Sequence, residues 1–248
     1  MDKVLLVTGG SRGIGAATCL LAARQGWAVA VNYSANALAA DAVVREVHAA
    51  GGRAMAVQAD VADESQVLRM FGQIDAQLGR LTGLVNNAGV VDVTARLEQM
   101  DVARWKRMFD INVMGTFLCT REAIRRMSTR HGGEGGSIVN LSSAASRLGA
   151  PGQYVDYAAA KGAIDAFTIG MAKELGGEGI RVNAVRPGLI DTEIHASGGL
   201  PNRVKELQHL VPMGRGGSAE EVAQSIVWLL SEAASYTTMS LIDVSGGR

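Results

Sequence analysis

Short apolar runs recur along the chain at Lys3–Val7, Ala28–Val31, Ala54–Gln58, Gly83–Val85, Ser137–Leu141, Arg181–Val185 and Leu241–Val244. They are continuous rather than alternating, the pattern of strands covered on both faces. Helical periodicity lies between most of them, at Gly13–Gln25, Leu38–Ala50, Ser65–Leu78, Val102–Ser128, Val155–Leu175 and Ala219–Ser231. Ser218, followed by Ala219-Glu220-Glu221, reads as an N-cap with acids in the first turn. Strand–helix alternation predicts right-handed crossovers and an α/β fold: a Rossmann-type, doubly wound parallel sheet of about seven strands with helices on both faces. No internal repeat or linker interrupts it, so one domain over residues 1–248 is expected. Leu189–Gly217 has weak periodicity, several glycines and two prolines, the character of a substrate-binding lid.

In such a sheet, ligands bind outside the carboxyl ends of the strands. The unusual residues fall there repeatedly. The first strand runs into Thr8–Gly15 and the third into Asp60. The fourth runs into Asn86-Asn87-Ala88-Gly89, the fifth into Ser142-Ser143 and the sixth into Pro187-Gly188. Gly9, Gly13 and Gly15 sit between a strand and a helix, where a tight turn lets a pyrophosphate approach free N–H groups. Their spacing, Gly-x3-Gly-x-Gly, differs from the general dinucleotide fingerprint. Tyr157 and Lys161 are four apart in a helical pattern and share a face. An ammonium beside a phenol favours phenolate, which suits proton exchange with a carbonyl or alcohol oxygen. Ser142 and Ser143 offer hydroxyls to the same oxygen. Asn112 occupies a helical stretch where Asn is a poor choice.

Taken in order, Thr8-Gly9-x3-Gly13-x-Gly15, Asn86-Asn87-Ala88-Gly89, Asn112, Ser143, Tyr157-x3-Lys161 and Pro187-Gly188 resemble a classical short-chain dehydrogenase/reductase over essentially the whole length. The resemblance implies Tyr157 as general acid/base and Ser143 as the group holding the substrate oxygen. Lys161 would bind the nicotinamide ribose and lower the Tyr157 pKa, and Asn112 would hold a relay water. It places Asp60 and Val61 near adenine, and Asn87, Ala88 and Gly89 along the cofactor. Thr192 would lie near the carboxamide, with Pro187, Gly188 and Ile190 beside it. Ser11, Arg12 and Ile14 belong to the glycine turn. The chain departs from the family in two places. Ser143 precedes Tyr157 by fourteen residues where thirteen is commoner, which keeps Ser142 open as the catalytic serine. Met239 stands where similar chains often have Gly.

NADP(H) is expected over NAD(H). An NAD-preferring site usually places an acid after the second strand, and no Asp or Glu occurs from Gly26 through Ala40. Arg12 is placed to reach a 2′-phosphate, with Asn32 and Ser34 adding hydrogen bonds. The expected reaction moves hydride between nicotinamide and a carbonyl or secondary alcohol, in the manner of 3-oxoacyl-carrier-protein reductases or of sugar and alcohol dehydrogenases. A carrier-protein partner would need a basic patch near the site, for which Arg125, Arg126, Arg130 and Lys173 are candidates. The alternative is a non-catalytic cofactor-binding sensor.

Composition narrows the partners. Lys+Arg and Asp+Glu are both 24, a formal net charge of zero, whereas nucleic acid or an anionic membrane demands a basic surplus. Hydrophobic residues are 48% and charged ones 19%, so disorder is not expected. Cys19 and Cys119 lie in apolar helical patterns and read as buried thiols of a reducing compartment. No metal site is expected. Met1-Asp2-Lys3 runs straight into a strand without a basic leader, and a cytoplasmic protein is expected. Apolar residues nearly encircle Ala158–Leu175, which predicts burial on two sides. A homotetramer, as the resemblance implies, would supply the second side.

Overall fold

A computed structural model describes residues 3–194 and 198–248. Met1 and Asp2, and residues 195–197 of the expected lid, lie outside them. Seven strands form one sheet: β1 (Val4–Val7), β2 (Ala28–Tyr33), β3 (Ala54–Gln58), β4 (Gly83–Asn86), β5 (Gly136–Leu141), β6 (Ile180–Pro187) and β7 (Leu241–Val244). Their spatial order is β3-β2-β1-β4-β5-β6-β7, and every pairing is parallel. The helices are α1 (Gly13–Arg24), α2 (Ala37–Ala49), α3 (Glu64–Gln77), α4 (Val102–Phe109), α5 (Gly115–Met127), α6 (Ala145–Leu148), α7 (Val155–Leu175), α8 (Arg203–Leu207) and α9 (Ala219–Leu230).

The continuous apolar runs have their expected cause. Alternate residues of β1 serve opposite cores: Val4 and Leu6 pack with α3, α5 and α7 residues such as Phe71, Cys119 and Leu175. Leu5 and Val7 pack with Cys19, Trp27 and Ile226 on the other face. With both faces covered, β1 has no position left for a polar alternation. Ser218 caps α9 as expected: its Oγ accepts from Glu221 N at 3.3 Å, and Glu221 Oε2 accepts from Ser218 N at 2.8 Å.

The stretch expected as one helix over Val102–Ser128 is broken. A π turn, Asp110–Met114, separates α4 from α5. Asn112 is fully buried, and its Nδ2 donates to the Met108 carbonyl at 3.0 Å. Side-chain bonding to the carbonyl four residues back bends helices, and the widened turn carries Asn112 inward. The short helix α8 falls in the segment read as irregular, and α6 lies between Ser143 and α7 where no element was expected.

Met239 has φ +64°, in the left-handed region that favours glycine. Its N–H donates to Val182 O at 2.8 Å, which holds the conformation. A non-glycine residue there costs about 1–2 kcal/mol, part of which glycine's greater unfolded-state freedom would return. Met239→Gly is therefore expected to raise the thermal midpoint by about 1–4 °C. A lowered midpoint would contradict this account.

Candidate active site

The order of the sheet reverses between β1 and β4, and the glycine turn lies at that crevice. Thr8 Oγ1 donates to Val85 O and accepts from the N–H groups of Asn87 and Ala88, at 2.9 and 3.0 Å. Asn87 Nδ2 donates back to the carbonyls of Thr8 and Gly9. A Cβ on Gly15 would come within 2.4 Å of Gly9 O, so only glycine fits. Gly9 and Gly13 have φ +61° and +50°. The N-terminus of α1 has no side-chain cap and no acid in its first turn. Uncapped N–H groups at the positive end of a helix, behind a turn too tight for side chains, fit an anionic diphosphate.

Asn32 departs from its expected part. It is 2% exposed. Its Oδ1 accepts from Gly9 N, while Nδ2 faces the carbonyls of Val57 and Ala59. The amide is committed to holding the turn rather than offered to a phosphate. Ser34 is exposed, and its carbonyl accepts from Gln58. Arg12 is exposed, with Nη1 3.0 Å from Glu193 Oε2. Asp60 Oδ1 accepts from Ala62 N, and Val61 packs into the core against the space a Cβ on Gly115 would need. A Cβ on Gly188 would meet Ser245 at 2.7 Å, and Thr192 packs against Gly13.

A cavity of about 450 Å³ opens beside this turn, lined by residues that include Ile14, Asn87, Gly89, Ser143, Tyr157, Lys161, Gly188, Ile190 and Thr192. α7 presents Tyr157 and Lys161 one turn apart, with Lys161 Nζ 5.6 Å from the Tyr157 ring centroid. Nζ donates to Leu141 O at 2.7 Å, tying α7 to the end of β5. Ser143 lines the same cavity as Tyr157, close enough to favour the ionised phenol. Ser142 instead donates to Lys161 O at 3.2 Å and is buried. Of the two serines, Ser143 is the one that faces the phenol. Gly89 sits where a Cβ would be 2.7 Å from Asn112 Oδ1 and 3.6 Å from Lys161 Nζ. The Asn112 amide is itself spent on Val90 and Met108. These bonds fix the loop after β4 against the cavity.

Electrostatics here oppose the simplest expectation. Burial pushes the Tyr157 phenol up to about 12, against Ser143, which favours phenolate. Burial lowers the Lys161 ammonium to about 8, against the attraction of Asp165. In this cavity, desolvation outweighs the partner for both groups.

The expected basic patch is also changed. Arg125 pairs with Glu122, Arg126 with Glu122 and Asp75, and Arg130 with Glu178. All three follow or end α5, at the edge of the sheet where β5 begins, away from the cavity. Lys173 lies in the last turn of α7, which leads to that same edge. Sequence reading had no signal for Tyr154, Gln153 and Arg203 on the cavity wall, because nothing in a sequence reports where a short helix in an irregular segment will turn.

Known proteins share the family and the fold. The family model described as enoyl-(acyl carrier protein) reductase matches residues 9–248. A variant of a Serratia marcescens short-chain dehydrogenase/reductase superposes with a TM-score of 0.91 at 37% identity, covering 99% of this chain and 97% of the other. The chain belongs to the short-chain dehydrogenase/reductase family. It is 56% identical to the uncharacterized oxidoreductase YgfF of Escherichia coli over 99% of both chains. It is 41% identical to a 3-oxoacyl-[acyl-carrier-protein] reductase of Synechocystis, over 99% of this chain and 96% of that one. Members of this oxidoreductase family use nicotinamide cofactors, and the uncapped turn fits one. Among the described residues there is no group of His, Cys, Asp or Glu suited to a metal ion, and no helix is long and apolar enough to cross a membrane.

The start of α7 is braced by an ion pair that the family motifs do not reveal. Arg104 on α4 grips Asp156, with Nε at 2.7 Å and Nη2 at 3.2 Å, and Nη1 donates to Val93 O. The two side chains are 9% and 2% exposed. Removing one partner strands a buried charge, so Asp156→Ala is expected to cost about 3–5 kcal/mol in urea denaturation. Replacing both residues by apolar ones should return most of that loss. A cost below about 1 kcal/mol for the single variant would show that the brace does not matter.

Proposed function

We propose that this protein is an NADP(H)-dependent oxidoreductase acting on a small carbonyl or secondary alcohol substrate, with Tyr157 as general acid/base. The observation that carries the reading is the convergence of Tyr157, Ser143 and Lys161 on one cavity beside an uncapped glycine turn. When bound, the nicotinamide supplies or accepts the hydride. Ser143 donates a hydrogen bond to the substrate oxygen and holds it against the phenol. Tyr157 gives its proton to that oxygen in reduction and takes it back in oxidation. Lys161, 5.6 Å from the ring centroid, opposes the negative charge left on the phenol and donates to the nicotinamide ribose. Asn112 keeps Gly89 and Val90 in place beneath Lys161. Ser11, Ile14, Asn87, Ala88, Pro187 and Ile190 line the cofactor's path, with Asp60 and Val61 at the adenine end. Residues 189–217 act as the lid of a single catalytic domain.

The 2′-phosphate preference rests on the absence of acids from Gly26 through Ala40 and on Arg12 at the mouth of the turn. An exposed pair such as Arg12–Glu193 contributes about 0–1 kcal/mol, so a phosphate can compete for the guanidinium. A homotetramer is supported by the outer face of α7. Ala159, Ala166 and Gly170 are exposed there, and a Cβ on Gly162 or Gly170 would meet nothing. Such a face accommodates a second helix at close range. A cytoplasmic location fits the two buried free thiols.

A sensor that binds cofactor without turnover needs no proton donor, so the decisive experiment is Tyr157→Phe against a carbonyl panel. The variant is expected to lose about 10²–10⁴-fold in kcat while still binding NADPH. Near-wild-type turnover would remove Tyr157 from the mechanism, and inactivity of the wild type on every carbonyl would favour the sensor.

For cofactor choice, a charge-assisted bond of about 1.5–3 kcal/mol corresponds to roughly 10–150-fold in affinity. Arg12→Ala is expected to reduce the NADPH:NADH ratio of kcat/KM by about that factor. An unchanged ratio would overturn the phosphate-binding role of Arg12.

The depressed Lys161 value adds a pH dependence. The ammonium is present below about 8 and lost above it, and kcat/KM reports groups of the free enzyme. kcat/KM for NADPH is therefore expected to fall as pH rises through about 8. A level profile to higher pH would contradict a charged Lys161 in cofactor capture.

A further inference from the structure

The cavity continues past Tyr157 to a wall that the hydride chemistry does not use. Arg203 on α8 lays its guanidinium over the Tyr154 ring, Cζ 5.1 Å from the centroid. Its Nη2 donates to Gln153 Oε1 at 2.6 Å. The Tyr154 ring meets Tyr157 edge-on, centroid to centroid 6.4 Å. Three side chains thus run in contact from the guanidinium to the reacting phenol. Arg203 has no ion-pair partner among the described residues, whereas Arg104, Arg186 and Arg215 each hold a carboxylate.

The charge of the cavity is one-sided. Among the described residues its lining includes the side chains of Lys161 and Arg203 and no Asp or Glu. The whole chain has 24 acids and 24 bases, so this excess is local. Lys161 belongs to the phenol end. Arg203 lies beyond Tyr154 from the phenol, in a cavity whose lining also includes Leu148 and Pro151. A guanidinium is weakly hydrated, and its planar fork matches a carboxylate. Gln153 occupies one amine and leaves the rest of the fork available. Stacking on Tyr154 restricts the plane, which lowers the entropy lost on pairing.

We propose that Arg203 anchors a carboxylate of the substrate, so that the protein acts on oxo acids or hydroxy acids whose carboxylate lies beyond Tyr154 from the reacting carbon. The proposal rests on the reading of this cavity as the carbonyl-reducing site. Arg203 selects the substrate and takes no part in proton transfer.

The test uses 4-acetylbenzoate and 4-acetylbenzamide, nearly isosteric rigid ketones that differ in charge. Binding of each to the NADP⁺-loaded protein is measured by titration calorimetry, and turnover with NADPH is measured separately. The wild type is expected to bind the acid about 10–150-fold more tightly than the amide, the range of a charge-assisted bond. Arg203→Gln is expected to collapse that ratio toward one through KM rather than kcat, and Arg203→Lys to restore part of it. Equal binding of acid and amide by the wild type overturns the proposal. So does a ratio that survives in Arg203→Gln, or a loss of NADPH affinity in that variant with the ratio intact. Charge-selective binding without turnover of either ketone, or of any carbonyl of the panel, would support the anchor while refuting the reductase reading, so the two failures are distinguishable.

Discussion

Thr8 spans the place where the order of the sheet reverses, and the functional geometry hangs from it. A parallel sheet wound in both directions leaves a gap between its two central crossovers, because the helices after β1 and β4 depart to opposite faces. One hydroxyl closes that gap by serving Val85, Asn87 and Ala88 together. Asn87 answers from the other side through two carbonyls of the glycine turn. The helix that follows the turn is thereby left without a side-chain cap at its N-terminus. Asn32 completes the clasp from β2, fixing Gly9 by one bond and β3 by others.

The second half of the site depends on how α7 is held. Its first turn is gripped by Arg104 at Asp156, one residue before Tyr157. Lys161 ties the next turn to the carbonyl end of β5. Deeper in, Asp165 pairs with Arg186 of β6 at 2.8 Å. These contacts fall on successive turns, so the helix has little freedom to rotate, and the phenol and ammonium keep their separation. The same burial that fixes them penalises charge on each. The phenol therefore rests protonated, as a donor must, and the lysine sits nearer neutrality than a free one.

Much of the fold was legible because parallel strands buried on both faces leave an unambiguous signature, and the strand-end residues announced which edge would matter. The cluster around Tyr157 was legible for the same reason: glycines, asparagines and serines at strand ends are poor choices for anything but close approach. Other features were hidden because they depend on partners distant in sequence. Asn32 reads as a surface donor until β3 is seen to cover it. Arg125, Arg126 and Arg130 read as a positive patch until Glu122, Asp75 and Glu178 fold against them. Val102–Ser128 reads as one helix because a single buried asparagine is a weak signal against twenty-six well-patterned neighbours. Met239 was visible as an oddity, but its cause, a left-handed backbone, required coordinates.

Cys19 lies beneath the glycine turn, with Sγ 3.7 Å from Gly10 O and no exposed surface. Burial pushes its thiol far above the ordinary range, so the reactive thiolate is scarce while the turn is closed. A Cβ on Gly10 would reach that sulfur at 3.0 Å, which leaves no room for a reagent to enter without lifting the turn. The sulfur is thus a clock for local breathing: its alkylation rate counts the moments when the diphosphate cradle comes apart, separately from unfolding of the sheet below it.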